Sequence, residues 1–381
     1  MTDDNAWLAD YLEQGRQGLL AAPPSAFWIV TRACNLKCHY CFADARKRDP
    51  DELTTVQAFA VLDDLAEHGV AFVTYLGGEP LMRRDLFDLV DYSTDLGIYT
   101  AVLSNGLLVK RGAVQRLKDA GCQMLGISID SNDPLVHDAI RGVRGSLIGA
   151  KRAVREAVAS DMRCSVRLVI TEKSIAAVPD LFRWALDEGV EELIVIPIFM
   201  VGRAAGTAND RRADILGKQL FFEALRELRK LTGPLGLTVP HEDLACAVGI
   251  ELSPPQAAHR HAGHAVGFEK TVGCKVGRFF TSIQPNGEVY LCPFVHHPIG
   301  SLRTQSIAEI WQHPLLRKAR EHDLGCLARS VIHQGRLDVP DPTYRRTTEE
   351  LLEALAGAAA PDQPKQAHGV FVPFERSTTR R

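Results

Sequence analysis

Three cysteines, Cys34, Cys38 and Cys41, fall within eight residues, directly after the apolar run 27–30. Three thiolates can hold a four-iron cluster while leaving one iron without a protein ligand, and an open iron can take a small molecule. A structural zinc site is the competing reading, but zinc normally wants a fourth nearby ligand. His39, between two of the thiols, is poorly placed to supply it. A second group, Cys246, Cys274, Cys292 and Cys326, lies towards the C-terminus. Four thiolates suit an iron–sulfur cluster, with zinc again as the alternative. Cys122 and Cys164 sit in apolar surroundings and read as buried, inert thiols.

The rest of the composition narrows the setting. With 381 residues, 46% of them hydrophobic and 24% charged, the chain has ample material for a large domain and a smaller one. A net charge of -3 gives no basic footprint for nucleic acid. No apolar run approaches the roughly 20 residues that span a bilayer, and the N-terminus lacks a basic, apolar export segment. A cytoplasmic protein is expected, with no membrane partner. Nine cysteines, an odd number, then favour metal chemistry over disulfides.

The cysteines need elements to position them. Short β-like runs at 27–31, 71–76, 99–104, 124–129, 164–170 and 193–197 alternate with amphipathic helical stretches at 55–68, 86–96, 111–120, 147–160 and 178–188. This alternation predicts an α/β fold of parallel strands joined by right-handed crossovers. Six such units form a partial (β/α)6 TIM-type barrel, with a doubly wound sheet as the competing architecture. The unusual residues cluster where strands end. The cysteine loop follows the first, Gly77-Gly78-Glu79-Pro80 the second, and Ser104-Asn105-Gly106 the third; Ser128 and Asp130 close the fourth. Barrel active sites gather at such ends, so one shared site is expected.

Glycines at 77 and 78 would let backbone carbonyls approach a ligand closely, and Glu79 can accept hydrogen bonds from an ammonium group. Ser104, Asn105, Ser128 and Asp130 could equally be turn or capping residues. Arg167 is a charge inside a strand pattern, suited either to a ligand carboxylate or to a salt bridge. Beyond the sixth strand a polar helix at 214–231 leads to a β-hairpin around Pro285-Asn286-Gly287. His241, His259, His261, His264 and His297 read as surface residues. The boundaries expected are an N-terminal helical extension at 1–24, the barrel at 25–212, a linker helix with the second cysteine group at 213–345, and a C-terminal helix and tail at 346–381.

Taken together, these motifs resemble those of radical S-adenosylmethionine enzymes of the SPASM/twitch branch, over most of residues 25–330. Cys34, Cys38 and Cys41 match the cluster triplet, with Tyr40 as the aromatic residue before the third cysteine. The resemblance implies a [4Fe-4S] cluster whose open iron binds S-adenosylmethionine. Reductive cleavage then gives a 5′-deoxyadenosyl radical that abstracts a substrate hydrogen. Gly77, Gly78, Glu79, Ser104, Asn105, Ser128, Asp130, Arg141 and Arg167 match positions around that cofactor, and the backbone of Val195–Pro197 would flank its adenine. Val201-Gly202-Arg203-Ala204, with residues 52–55 and 78–87, resembles enzymes of this branch that mature peptide-derived cofactors, ribosomal peptide products and tetrapyrroles.

Cys274, twelve residues, Gly287, four residues and Cys292 match the opening half of the SPASM cysteine pattern. The pattern's later run of cysteines is absent. One auxiliary cluster, of [4Fe-4S] type, is therefore implied, on Cys274, Cys292, Cys326 and either Cys246 or a histidine such as His296. The resemblance further implies oxidation or cross-linking of a ribosomally made peptide, with a flavodoxin- or ferredoxin-type reductant and a separate peptide-recognition protein. Oxidation, epimerisation or decarboxylation of a small molecule such as a sugar or tetrapyrrole is the alternative. A non-catalytic iron–sulfur scaffold or sensor is the alternative of another class.

Overall fold

The computed structural model describes residues 14–15, 17–110, 112–199, 201–205, 211–232, 235, 248–252 and 276–321. Six parallel strands form its centre: β1 (Ser25–Thr31), β2 (Phe72–Gly77), β3 (Tyr99–Ser104), β4 (Met124–Ser128), β5 (Arg163–Ile170) and β6 (Glu192–Pro197). They neighbour one another in chain order. A doubly wound sheet would reverse its strand order at a switch point. Unbroken order instead puts every crossover helix on one face and curls the sheet around the other, as in a partial barrel.

The crossover helices are α1 (Thr55–Glu67), α2 (Leu86–Asp95), α3 (Ala113–Asp119), α4 (Pro134–Arg141), α5 (Ser146–Ala159) and α6 (Val178–Asp187). Helix α1 shows why this sequence is helical here. Thr54 caps it and Gln57 reaches back to complete a capping box, while Ala58, Val61, Leu62 and Leu65 bury one stripe. The strands alternate accordingly. Trp28, Tyr75, Val102, Leu125, Val166 and Leu193 are fully buried in the layer between sheet and helices. Their neighbours Phe27, Thr74, Ala101, Met124 and Ile196 line a hollow on the concave face.

Both sheet edges are extended. On one side β7 (Val248–Glu251) runs antiparallel to β6. On the other, β8 (Phe280–Ile283) pairs in parallel with β1 and continues through β9 (Glu288–Cys292) and β10 (Val295–Ser301). The β8–β9 turn closes with the Gly287 amide donating to the Gln284 carbonyl at 3.0 Å. Helix α7 (Arg211–Thr232) follows the barrel, and α8 (Ile307–Trp311) and α9 (Pro314–Glu321) pack after β10. The segment carrying the second cysteine group thus shares one continuous ten-stranded sheet with the barrel. Among the described residues no helix is long and apolar enough to cross a membrane. Cys246, Cys274 and Cys326, and the expected tail at 346–381, lie outside the described residues.

Candidate active site

At the C-terminal ends of the strands a cavity of about 190 Å3 is bounded by Cys34, Cys38 and Cys41 together with Tyr40, Gly77, Gly78, Ser104, Asn105, Ser128, Arg141 and Arg167. All three cysteines carry free thiols. Burial pushes the Cys34 thiol up to about 11 and raises that of Cys38, where Arg141 partly opposes the effect. Among the described residues no three His, Cys, Asp or Glu side chains converge closely enough to share one metal ion. Cys34, Cys38 and Cys41 border one cavity, as the thiols of a cluster with an open iron would, and His39 between them is exposed.

The cysteine loop is held from three sides. First, Gly78 N donates to Thr31 O and Glu79 N to Ala33 O, each at 2.8 Å. A Cβ on Gly78 would lie 2.2 Å from Ala33 O, and one on Gly77 2.4 Å from Thr31 O. The paired glycines therefore serve the approach of the cysteine loop to β2 as much as any ligand.

Second, Arg203 Nε donates to Cys38 O at 2.8 Å, its Nη1 to Ala45 O at 2.9 Å, and its backbone N to Cys41 O at 3.0 Å. A Cβ on Gly202 would stand 2.4 Å from Cys41 O. Arg203 also lines the cavity. Its role was not assigned from sequence, although the Val201–Ala204 motif pointed to it. Third, buried Glu52 accepts from Thr31 Oγ1 at 2.7 Å and Arg32 N at 3.0 Å, fixing the exit from β1.

Beneath Cys38 lies a buried ion pair. Arg141 donates to Asp130 through Nε at 2.7 Å and Nη2 at 3.0 Å, and its Nη1 lies 3.9 Å from Cys38 Sγ. Tyr40 Oη donates to the same carboxylate at 2.7 and 2.9 Å. Burial works against the Arg141 charge, but Asp130 more than offsets it and the guanidinium pKa is raised. Asp130 is fully buried behind Tyr40 and Arg141, so it positions both rather than lining the cavity.

Glu79 is likewise fully buried. It accepts from Asn105 N at 2.8 Å, Ser104 Oγ at 2.9 Å and Leu81 N at 3.2 Å. Burial raises its carboxyl to about 7 despite these bonds. Of the Val195–Pro197 stretch, Ile196 and Pro197 border the cavity, joined by Ile198 and Phe199, while the Val195 side chain is fully buried in the helix-facing core. The pleat explains this, since successive strand residues face opposite sides.

An aromatic cluster joins the auxiliary segment to this site. Phe294, two residues beyond Cys292, stacks on Phe199 at 3.9 Å between centroids and meets Phe42 edge-on at 5.4 Å. Cys292 is buried. His296 and His297 are buried too, which corrects the surface reading of His297. Cys122 and Cys164 are buried with thiols pushed up to about 12, in keeping with inert roles.

A barrel with its thiols at the strand ends, extended by a cysteine-bearing hairpin, matches two protein-family models. Residues 28–185 match the radical SAM superfamily and residues 274–329 the iron–sulfur cluster-binding SPASM domain. The chain belongs to the radical S-adenosylmethionine superfamily, in the branch that carries a SPASM domain, and is an enzyme of that class. Its cofactors are a [4Fe-4S] cluster with S-adenosylmethionine and auxiliary iron–sulfur chemistry in the SPASM segment.

Among its relatives, the mycofactocin maturase MftC of Mycobacterium ulcerans is 28% identical, with 94% of each chain covered. The AdoMet-dependent heme synthase of Nitratidesulfovibrio vulgaris is also 28% identical, over 75% of this chain and 77% of that one. In fold the chain is similar to Streptococcus suis SuiB, solved with its precursor peptide SuiA. That match has a TM-score of 0.61 at 17% identity and covers 88% of this chain and 77% of SuiB.

Proposed function

We propose that the chain oxidises or cross-links a ribosomally made peptide, using a cluster on Cys34, Cys38 and Cys41 and one auxiliary cluster on the second cysteine group. The observation that carries the choice of substrate is similarity to a peptide maturase along almost the whole chain, 94% of each, where the heme synthase matches 75% of this chain. A peptide can insert one side chain into the lower hollow, of about 260 Å3, and leave its backbone outside.

When bound, the reduced cluster and S-adenosylmethionine supply a 5′-deoxyadenosyl radical able to take a substrate hydrogen. The chain's own residues bind, orient and exclude water. Gly77 and Gly78 shape the wall where the methionine end would lie, with Glu79 holding Ser104 and Asn105 in place behind it. Arg141 and Tyr40 hold the cysteine loop from below. Ile196 to Phe199 and Phe294 form an apolar wall that keeps solvent from the reacting carbon.

The test is anaerobic reconstitution and reduction, followed by incubation with S-adenosylmethionine and any short precursor peptide encoded beside the gene. Formation of 5′-deoxyadenosine with loss of two hydrogens from the peptide is expected. Consumption of an iron porphyrin with the peptide untouched would overturn the substrate assignment. No 5′-deoxyadenosine despite full iron loading would point to a scaffold or sensor.

A further inference from the structure

The lower hollow is a distinct chamber. Its floor is built from the first residues of β1, β2 and β3, the register partners Ser25, Phe72 and Tyr99. Its upper wall is shared with the cavity at the strand ends through Leu76, Leu103, Arg167, Ile196 and Phe294. A group seated in the chamber therefore adjoins the place where a hydrogen would be taken. We propose that this chamber receives one large apolar side chain of the substrate, aromatic or long aliphatic, and that Ala101 and Met124 set its size limit. The proposal rests on the peptide reading above.

Three features carry it. The walls are mainly apolar, with Phe27, Ala101, Met124 and Phe280 among the lining residues. Arg163, the register partner of Met124, is already engaged: it bonds Tyr99, lies 3.7 Å from Glu191 and feels the charge of Glu192. A charged substrate side chain would lose its hydration here among apolar walls, which is costly. Finally, the capacity of about 260 Å3 suits one ring with its linking carbons, on the scale where about 150 Å3 holds a benzene.

Ala101 and Met124 are direct register partners on β3 and β4, so they lie side by side on this wall. Neither borders the upper cavity. A larger residue at 101 fills the chamber, and a smaller one at 124 enlarges it.

The holoenzyme, with S-adenosylmethionine bound, is titrated calorimetrically with N-acetyl-phenylalaninamide, N-acetyl-leucinamide and N-acetyl-aspartamide. Saturable binding of the first two is expected, with the aspartate probe weaker by about tenfold or more, as a pocket of this kind discriminates. Ala101→Phe weakens the apolar probes by about tenfold, with iron content and far-UV spectrum reporting that the fold survives. Should that variant fail to fold, Met124→Ala carries the test, with preference expected to move towards N-acetyl-naphthylalaninamide. Equal binding of the aspartate probe would overturn the proposal, as would indifference of a folded Ala101→Phe or of Met124→Ala to probe size. If apolar probes bind as described while the encoded peptide emerges unmodified, the peptide reading falls and the chamber assignment stands. If the peptide is modified equally well by both variants, the chamber assignment falls and the peptide reading stands.

Discussion

Replacing Asp130 by Asn tests whether a buried charge pair holds the cysteine loop. The carboxylate accepts from Tyr40, twice from Arg141, and from Val169 N at 3.2 Å, and its side chain is fully enclosed. Asn keeps the shape and removes the charge, leaving a guanidinium that is 8% exposed without its counter-ion. Breaking one side of such a pair costs about 3–5 kcal/mol. The charge-assisted Tyr40 bond, worth about 1.5–3 kcal/mol, falls within that figure because both contacts end on one carboxylate. At about 1.4 kcal/mol per factor of ten, the folding equilibrium should fall by roughly a hundredfold to a few thousandfold. The assay is anaerobic urea unfolding of the cofactor-free chain, followed by circular dichroism. Adding Arg141→Met removes the stranded charge and should recover much of the loss, whereas additive losses would mean that the two residues do not act as a pair. A cost below about 1 kcal/mol for Asp130→Asn, the level of an exposed pair, would refute the reasoning outright.

The other predictions concern the loop and its neighbours. Gly78→Ala drives a methyl into Ala33 O, so iron per chain after reconstitution should drop sharply while the far-UV spectrum holds; normal loading would show that the loop yields freely. Arg203→Met removes the donors to Cys38 O and Ala45 O, and the reconstituted cluster should lose iron faster to a chelator than in wild type. Glu79 titrates at about 7 in the fold against an ordinary 4.5, because burial disfavours its charge. The native state therefore holds the proton more tightly, giving stability that is fully present below pH 4.5 and lost as pH rises through about 7. The change is about 3 kcal/mol at most. Glu79→Gln should flatten that slope in urea midpoints of the cofactor-free chain; an unchanged slope would assign it to other groups.

The barrel was legible because period-two runs and amphipathic stretches alternate six times, and sequential strand order is the simplest arrangement they allow. The thiol triplet was legible from spacing alone. Less visible was the division of labour around it. Asp130 and Glu79 look like ligand-facing acids in a linear chain, yet both are fully buried behind the groups they hold. A carboxylate's neighbours come from remote segments, Arg141 eleven residues away and Tyr40 ninety, and spacing carries no sign of them. Strand alternation places the Val195 side chain on the same face as Leu193, towards the helices, and gives the wall to Ile196 of the same stretch.

The placement of the second cysteine group follows from how the sheet continues, which the hairpin signal alone could not reveal. Because β8 pairs in parallel with β1, Cys292 is tied to the strand from which the first cysteines emerge. Arg32 makes the tie local, since its Nη1 donates to Ala43 O beside the cysteine loop and its Nη2 to Gln284 Oε1 at the hairpin turn. Phe294 closes the same circuit from above through Phe42 and Phe199. Two regions that hold thiols are thus joined by backbone pairing, a guanidinium bridge and an aromatic stack. A shift of the hairpin cannot be absorbed by a flexible linker and must be felt at the loop, because packed interiors transmit displacement rather than absorb it. The lower chamber is bounded by these same pieces, with Phe280 of β8 and Phe294 of the β9–β10 turn both in its wall. The auxiliary segment therefore shapes the space for substrate as well as carrying cysteines, and its contribution to specificity is separable from any role in electron transfer.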